Sequence, residues 1–431
     1  YNINTVDYQQ LRQKYPKFLY TGYSFQNFDN KLKLEFRYHI PPDHTFVHKV
    51  TFDNLNLTHS KVDEGLVFLV GLAEIFSYWK TTCSPQIQIQ AGHLSPDQIN
   101  FWHKLLIKGM GQYFYENQID FTAFDFLKIT PSGPKLTTSS SLTKNGLILV
   151  PIGGGKDSIV TAEILKSHYP IKPIIVYPAT AASERISAIL INTPPIIVRR
   201  SFDKQLLKMK TLEFLDGHVP YSAILAFIFL LTAQIENTPF IAVSNERSSN
   251  EGNVSYLGHE INHQYSKSAE FETDLNIYIQ SLGLDTTYFS FLRPLYELQI
   301  AKLFSQMPQY FSQFRSCNKN QQQDSWCGQC PKCLSISLAL GAWVGEAKIK
   351  EIMGTNPLTN PANIETLESM TNPAKVKPFE CITTTEEANI CLEFIQNNQT
   401  PKVKEFLSRF GDSPNTPPQF FDILKKAYAN S

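Results

Sequence analysis

Apolar and polar residues follow two different rhythms along the chain. Residues 31–38 alternate with a period of two, which predicts a half-exposed strand, and Asp29 and Asn30 just before them favour a turn. Residues 98–117 carry apolar side chains at helical spacing. Residues 132–142 are rich in Ser, Thr, Gly and Pro, which predicts a linker or an exposed loop. We therefore expect an N-terminal α+β domain over residues 1–142.

From about residue 146, short apolar runs alternate with helix-like segments. The runs are residues 147–152, 173–177, 195–198, 240–243 and 288–292. The helix-like segments among them are residues 157–168, 204–215, 221–235 and 268–282. Alternating strands and helices predict an α/β fold with a doubly wound parallel sheet, whose strands are buried on both faces. We expect this sheet over residues 143–315, followed over residues 316–431 by a cysteine knuckle and C-terminal helices.

Composition excludes several classes of protein. A hydrophobic share of 42% against 18% charged residues predicts a chain that buries a core. Lys and Arg number 39, as do Asp and Glu, so a broad electrostatic footprint for nucleic acid is absent. The longest apolar run, residues 222–233, is shorter than the ~20 residues that a membrane-spanning helix needs. The visible start is polar and has no signal-peptide pattern. Because the charges balance and no apolar run is long enough to span a membrane, we expect neither a nucleic acid nor a membrane as partner.

Four of the seven cysteines lie close together in the sequence. They are Cys317, Cys327, Cys330 and Cys333. Four thiolates form the ligand set of a closed tetrahedral zinc site, in which no coordination position is open for catalysis, so we expect a structural metal. An iron–sulfur cluster also suits four thiolates and is the alternative. Such clustering indicates a metal and a reducing compartment rather than a disulfide framework, and hence a cytoplasmic protein.

A Gly-rich turn follows the first apolar run and precedes a helix-like segment. Its residues are Gly153, Gly154, Gly155, Lys156, Asp157 and Ser158. Glycines let the backbone approach a phosphate closely, and the free amides at a helix start favour anions. The turn is not a Walker A motif, because Val150 stands where the first Gly should be. It is not a dinucleotide fingerprint either, because Ser158 occupies the position of the third Gly.

This turn resembles the PP-loop of the ATP pyrophosphatase superfamily, Ser-Gly-Gly-x-Asp-Ser. Residues 154–158 match its last five positions, whereas Gly153 stands where Ser is usual and a hydroxyl contact to phosphate is missing. The resemblance implies an adenine nucleotide alpha hydrolase-like fold, with ATP bound over residues 143–315 and its β- and γ-phosphates on the six residues of the turn. It also implies that Asp157 helps to hold Mg²⁺, and that ATP is split into AMP and pyrophosphate through an adenylated substrate.

Polar segments that follow the later apolar runs are the second set of candidates. They are residues 244–253, 262–268 and 293–297. In open α/β sheets, ligands bind beyond the carboxyl ends of the strands. Arg247 and Arg293 suit a carboxylate or phosphate clamp, and Glu246 and His263 suit proton transfer. Solvated loop residues and a structural histidine are the alternative interpretations.

Together with the cysteines, these segments resemble the ATP-dependent epimerases of peptidoglycan synthesis, over about residues 146–333. That family inverts the terminal L-Glu of UDP-N-acetylmuramoyl-L-alanyl-L-glutamate to D-Glu. The resemblance implies a nucleotide-sugar dipeptide substrate, ATP and Mg²⁺, a structural Zn²⁺, and activation of the glutamate carboxyl group by adenylation. The base is not named by the sequence: His263 and Glu246 are the candidates for it, and Arg247 and Arg293 are the candidates for clamps on a substrate carboxylate or a phosphate. The oligomeric state is left open.

Three other functions stay open at this stage. A similar cysteine cluster occurs in the 7-cyano-7-deazaguanine synthases, which would make the chain an amide or nitrile synthetase that depends on ammonia. A tRNA-modifying enzyme would use its cysteine knuckle to grip RNA, although the net charge of zero argues against it. A non-catalytic nucleotide- or zinc-binding module would leave ATP intact.

Overall fold

The computed structural model describes residues 7–57, 62–138, 146–210 and 213–431. The strands in this part of the chain are β1 (Lys17–Phe28), β2 (Lys31–Ile40), β3 (His44–Asp53), β4 (Gln86–Ile89), β5 (Lys128–Pro131), β6 (Ile148–Pro151), β7 (Ile171–Tyr177), β8 (Ile196–Ser201), β9 (Phe240–Val243), β10 (Val254–Tyr256), β11 (His259–Ile261) and β12 (Thr287–Ser290). The helices are α1 (Tyr8–Lys14), α2 (Glu64–Trp79), α3 (Pro96–Gly109), α4 (Gly111–Glu116), α5 (Lys156–Lys166), α6 (Ala181–Leu190), α7 (Lys204–Met209), α8 (Tyr221–Ile235), α9 (Ala269–Ser281), α10 (Glu297–Ser305), α11 (Pro331–Val344), α12 (Glu346–Met353), α13 (Ile364–Thr371), α14 (Thr385–Asn397), α15 (Pro401–Ser408) and α16 (Pro418–Ala429).

The chain divides into two compact units, and neither is continuous in sequence. The first unit comprises Tyr1–Asn145, Ile196–Pro239 and Ser255–Thr287, and the second comprises Gly146–Pro195, Phe240–Val254 and Tyr288–Ser431. The sequence led us to expect three continuous regions, residues 1–142, 143–315 and 316–431. Their boundaries differ from those of the two units, and the three-region division stays a prediction. The predicted linker at residues 132–142 extends beyond the described residues, and its described part, residues 132–138, forms neither helix nor strand.

The first unit orders its strands β8-β3-β2-β1-β4-β5. The predicted strand at residues 31–38 is confirmed as β2, which buries its apolar side chains and exposes or half-exposes the residues between them. It follows a turn at Asp29, whose φ is +53°. Strands β1, β2 and β3 are antiparallel neighbours, whereas β4 runs parallel to both β1 and β5. Helix α2 packs on β1 and on α8, and the predicted helices at residues 98–117, 221–235 and 268–282 are confirmed as α3 with α4, α8 and α9.

Strand β8 arises from the apolar run at residues 195–198, which was expected to join the parallel sheet. In the first unit it pairs antiparallel with β3, a partner that an apolar run cannot specify. Its Arg200 makes two 2.7 Å hydrogen bonds to the fully buried carboxylate of Glu74 on α2. The helix predicted at residues 204–215 is shorter in the described chain, because α7 ends at Met209 and residues 211–212 lie outside it.

The second unit orders its strands β12-β9-β6-β7, and β6 is parallel to β7 and to β9. The expectation of a parallel α/β arrangement is confirmed for these three strands. Because parallel strands end at the same edge, the segments that follow β6, β7 and β9 begin there. Helices α10 to α16 belong to this unit, as expected for the C-terminal region. Within the described ranges, no helix combines the length and the apolar character needed to cross a membrane.

Candidate active site

The Gly-rich turn joins β6 to α5 and leaves the start of that helix without a side-chain cap. Gly154 has a φ of +81°, and a Cβ there would lie 2.8 Å from Thr180 Oγ1 and 2.9 Å from the Ser183 amide nitrogen. A Cβ on Gly153 would meet no atom within 4 Å. Position 154 therefore requires glycine, and the backbone at 153 is open to a ligand. Free amides in such a turn suit an anionic group.

Lys156 and Asp157 begin α5, and Lys156 also contacts the buried carboxylate of Glu297. Lys156 is fully buried, and its ammonium group contacts the carboxylates of Asp157 and Glu297. The Asp157 side chain keeps a quarter of its surface exposed. Burial raises the pKa of Asp157 above its ordinary value, Lys156 opposes this shift, and Glu297 adds to it. The ammonium of Lys156, predicted from the sequence to bind ATP, is thus paired with carboxylates.

Glu297 and Lys332 complete this cluster, and neither was singled out from the sequence. The Lys332 ammonium lies 3.4 Å from Glu297 Oε1 and donates a 2.5 Å hydrogen bond to the carbonyl oxygen of Cys381. Burial alone would raise the pKa of Glu297, but Lys156 and Lys332 outweigh it and lower that pKa to about 2. Glu297 is the last residue of the predicted polar segment 293–297. Lys332 lies between Cys330 and Cys333, two predicted metal ligands, and no sequence pattern pointed to it.

Glu246 and Arg293 organise the segment after β9. The Glu246 side chain is buried and accepts a 2.6 Å hydrogen bond from the Ser248 hydroxyl. Arg293 donates to the Glu246 carbonyl oxygen at 2.9 Å, to Ser249 Oγ at 2.7 Å and to Ser290 Oγ at 3.1 Å. Much of the Arg293 guanidinium therefore holds this segment against β12, which favours a positioning role over the predicted clamp.

Arg247 lies in the same segment but is differently engaged. Its guanidinium carbon lies 4.9 Å from the centre of the Tyr296 ring, and a Cβ added to Gly411 would overlap it. The side chain is half-buried, and among the described residues no carboxylate pairs with it. An arginine stacked on an aromatic ring without a counter-ion suits an anionic ligand.

The four clustered cysteines come together at the start of α11. All four Sγ atoms lie within 4.8 Å of one another, and nearest pairs are 3.4 to 4.0 Å apart. A tetrahedron with metal–sulfur bonds of ~2.3 Å has sulfur–sulfur separations of ~3.8 Å, so the cluster can hold a metal ion. Backbone amides of Asn320, Cys327, Gln329 and Cys333 donate to the sulfur atoms at 3.3 to 3.4 Å. Such donors stabilise thiolates.

His263 lies in the first unit, whereas the other candidates lie in the second. It is buried, and its ring centroid is 6.2 Å from that of His218. Burial, together with Lys80 and Lys267, lowers the pKa of His218 to about 4. The segment 217–221 thus approaches the segment 262–268, which the sequence did not predict.

Comparison with known proteins places the chain in a family. The model of the MurL N-terminal domain matches residues 9–291, and the model of the MurL C-terminal domain matches residues 313–419. No solved structure matches the chain.

Three curated relatives carry the name UDP-N-acetyl-alpha-D-muramoyl-L-alanyl-L-glutamate epimerase. The protein of Salinispora tropica is 29% identical over 74% of this chain and 70% of its own length. The protein of a Micromonospora strain is 32% identical over 67% of this chain and 65% of its own length. The protein of Xanthomonas oryzae pv. oryzae is 27% identical over 78% of this chain and 75% of its own length. Because the first family model alone covers well over half of it, this chain belongs to the MurL family.

Proposed function

We propose that this chain is an ATP-dependent epimerase that inverts the terminal L-Glu of UDP-N-acetylmuramoyl-L-alanyl-L-glutamate to D-Glu, in peptidoglycan precursor synthesis. Family membership and the activity for which three relatives are named support the reaction. The observation that carries the use of ATP is the uncapped start of α5 beside Gly153 and Gly154, with Asp157 in its first turn. The parallel order of β6, β7 and β9 around this turn supports a PP-loop fold for the second unit.

The residues of the turn would hold the nucleotide. Gly153, Gly154 and the first amides of α5 would bind phosphate oxygens, and Ser158 would close the turn through the 3.0 Å hydrogen bond from its hydroxyl to the Gly155 carbonyl oxygen. Asp157 offers the carboxylate that Mg²⁺ prefers beside phosphate oxygens. Lys156 would act indirectly, by balancing the charge of Asp157.

ATP supplies the activation of the glutamate carboxyl group by adenylation. A free carboxylate resists loss of the neighbouring α-proton, because a second negative charge would build on the same group of atoms. This chain then has to hold the substrate anion and move one proton. Arg247 is the clamp that the structure favours, and Arg293 would fix the segment that carries it. Glu246 and His263 are the candidates for proton transfer.

The four cysteines would hold a structural Zn²⁺. Four sulfur atoms within 4.8 Å of one another fit a single tetrahedral ion, which favours zinc over a multi-iron cluster. Cysteines that cluster around a metal instead of pairing in disulfides are typical of a reducing compartment, which supports a cytoplasmic location.

The first experiment incubates the protein with ATP, Mg²⁺ and UDP-N-acetylmuramoyl-L-alanyl-L-glutamate and follows AMP, pyrophosphate and the chirality of the glutamate. We expect AMP and D-Glu to appear together. Asp157→Asn should abolish both products, whereas Asp422→Asn, at an exposed carboxylate of α16 in the same unit, should change neither. AMP without inversion would point instead to an amide or nitrile synthetase or a tRNA-modifying enzyme. Absence of substrate-dependent AMP would refute the proposal.

The base is identified by running the reaction in D₂O. A variant that lacks the base should still form AMP but should no longer place deuterium at the α-carbon. We compare His263→Gln with Glu246→Gln. If both variants incorporate deuterium at the unaltered rate, neither residue is the base.

A further inference from the structure

The charge cluster behind the Gly-rich turn is linked to the cysteines through one side chain. Lys332 is the second residue of α11 and lies between Cys330 and Cys333, so the cysteine knuckle sets the position of its backbone. The Cys330 thiol accepts a hydrogen bond from the Cys333 amide at 3.4 Å, and the Lys332 amide donates to Glu380 Oε2 at 3.1 Å. The backbone of Lys332 is thus held by Glu380 and the cysteine knuckle, and its ammonium group is held by Glu297 and the Cys381 carbonyl oxygen.

That ammonium group is directed at Glu297, which also pairs with Lys156. Glu297 is fully buried at the start of α10, where the helix amides favour a negative charge. Its neighbour Glu387 accepts a 2.7 Å hydrogen bond from the Leu298 amide. Burial, with the charge of Glu297 added, raises the pKa of Glu387 to about 8, so this second carboxyl group is largely neutral at pH 7. Glu297 therefore carries the negative charge that the two lysines share.

Lys156 connects this charge cluster to the Gly-rich turn. Lys156 contacts both Asp157 and Glu297, and Lys332 supplies Glu297 with a second cation. Without Lys332, the Lys156 ammonium would be drawn towards Glu297, and Asp157 would lose part of the contact that holds its carboxylate in place. Asp157 is the residue whose carboxylate is available for Mg²⁺.

We propose that Lys332 is a positioning residue that, through Glu297 and Lys156, transmits the geometry of the cysteine knuckle to Asp157 and so sets the affinity of the Gly-rich turn for Mg²⁺ with ATP. This inference rests on the proposed use of ATP. The cysteine knuckle then has a role beyond folding. It fixes Lys332, and the ion pairs from Lys332 through Glu297 and Lys156 reach Asp157 in the Gly-rich turn.

The test measures ATP binding directly, by equilibrium dialysis of the purified protein at increasing Mg²⁺ concentrations. Lys332→Met keeps the length of the side chain and removes its charge, and we expect the Mg²⁺ concentration for half-maximal ATP binding to rise about tenfold. Lys332→Arg keeps the charge and should restore most of the affinity. Lys348→Met, at a half-exposed lysine of α12, is the matched control and should bind as the unaltered protein does. The metal content of all three variants should be unchanged, because the thiolates are intact.

A double-mutant cycle with Glu297→Gln separates the ion-pair chain from general destabilisation. If Lys332 acts through Glu297, the double variant should bind about as weakly as Glu297→Gln alone, whereas independent effects would multiply. Unaltered Mg²⁺ dependence in Lys332→Met, multiplied effects in the double variant, or failure of Lys332→Arg to restore binding would each overturn the inference. Failure of the unaltered protein to bind ATP would overturn the proposed function as well. Binding of ATP without epimerisation would refute only the proposed reaction and leave the test of Lys332 valid.

Discussion

Replacing Arg200 by Met should destabilise the first unit by about 3–5 kcal/mol, because it leaves the Glu74 carboxylate buried with one weak partner. Glu74 is fully buried, and Arg200 pairs with both of its oxygens at 2.7 Å. Among the described residues, the imidazole of His48 also lies close, with its Nε2 3.3 Å from Glu74 Oε1. The double replacement Glu74→Leu with Arg200→Met removes both charges, and its cost should be at most about 2 kcal/mol.

The penalty should depend on pH. Burial alone would raise the pKa of Glu74, but Arg200 and His48 outweigh it and hold that pKa well below its ordinary value of 4.5. A carboxyl group with a depressed pKa in the folded state stabilises the protein above its pKa in the unfolded chain. This contribution is lost as pH falls below that value. Without Arg200, burial raises the pKa of Glu74, so the cost of Arg200→Met should be largest near pH 7 and should shrink as pH falls and the carboxyl group takes up a proton.

The assay is urea unfolding followed by tryptophan fluorescence. In a background carrying Trp326→Phe and Trp343→Phe, the two remaining tryptophans, Trp79 and Trp102, are both buried in the first unit and report on it alone. The reasoning would be refuted if Arg200→Met cost less than about 1 kcal/mol. It would equally be refuted if the double replacement cost as much as the single one, because the loss would then not come from an unpaired carboxylate.

Three further predictions concern the second unit. Cys330→Ser should release the bound metal, about one ion per chain, and lower the temperature of unfolding, which elemental analysis and calorimetry would detect; unaltered metal content would contradict the site. Gly411→Ala should displace the Arg247 guanidinium and raise KM for the nucleotide-sugar dipeptide about tenfold with little change in kcat or stability, because a flexible side chain yields cheaply. An unchanged KM would exclude Arg247 as the clamp. Gly153→Ser should fold normally, since its Cβ meets nothing within 4 Å, and the added hydroxyl should tighten ATP binding. Weaker ATP binding would show instead that the ligand needs this space.

Local patterns in the sequence predicted the elements that carry the site. The apolar run before the glycines became β6, and the helix after them became α5, which begins within one residue of the predicted start. The spacing of the cysteines was enough to predict a four-sulfur cluster, because a turn at Gly328 and the start of α11 at Pro331 bring near residues together. Periodicity did not reveal that β8 pairs with β3, because an apolar run records burial and not the identity of its neighbour.

The sequence by itself determined the α/β class, the Gly-rich turn and the cysteine cluster, since each depends on residues close together in the chain. Only the tertiary structure decided which charges meet. It paired Lys156 with Glu297, committed much of Arg293 to the segment after β9, and brought Lys332 to the same carboxylate. The direction of a long side chain depends on buried partners that lie tens of residues away in the sequence, and in the case of Lys156 more than a hundred. Desolvation makes unpaired charges costly, so these side chains turn towards one another, and no local pattern encodes that choice.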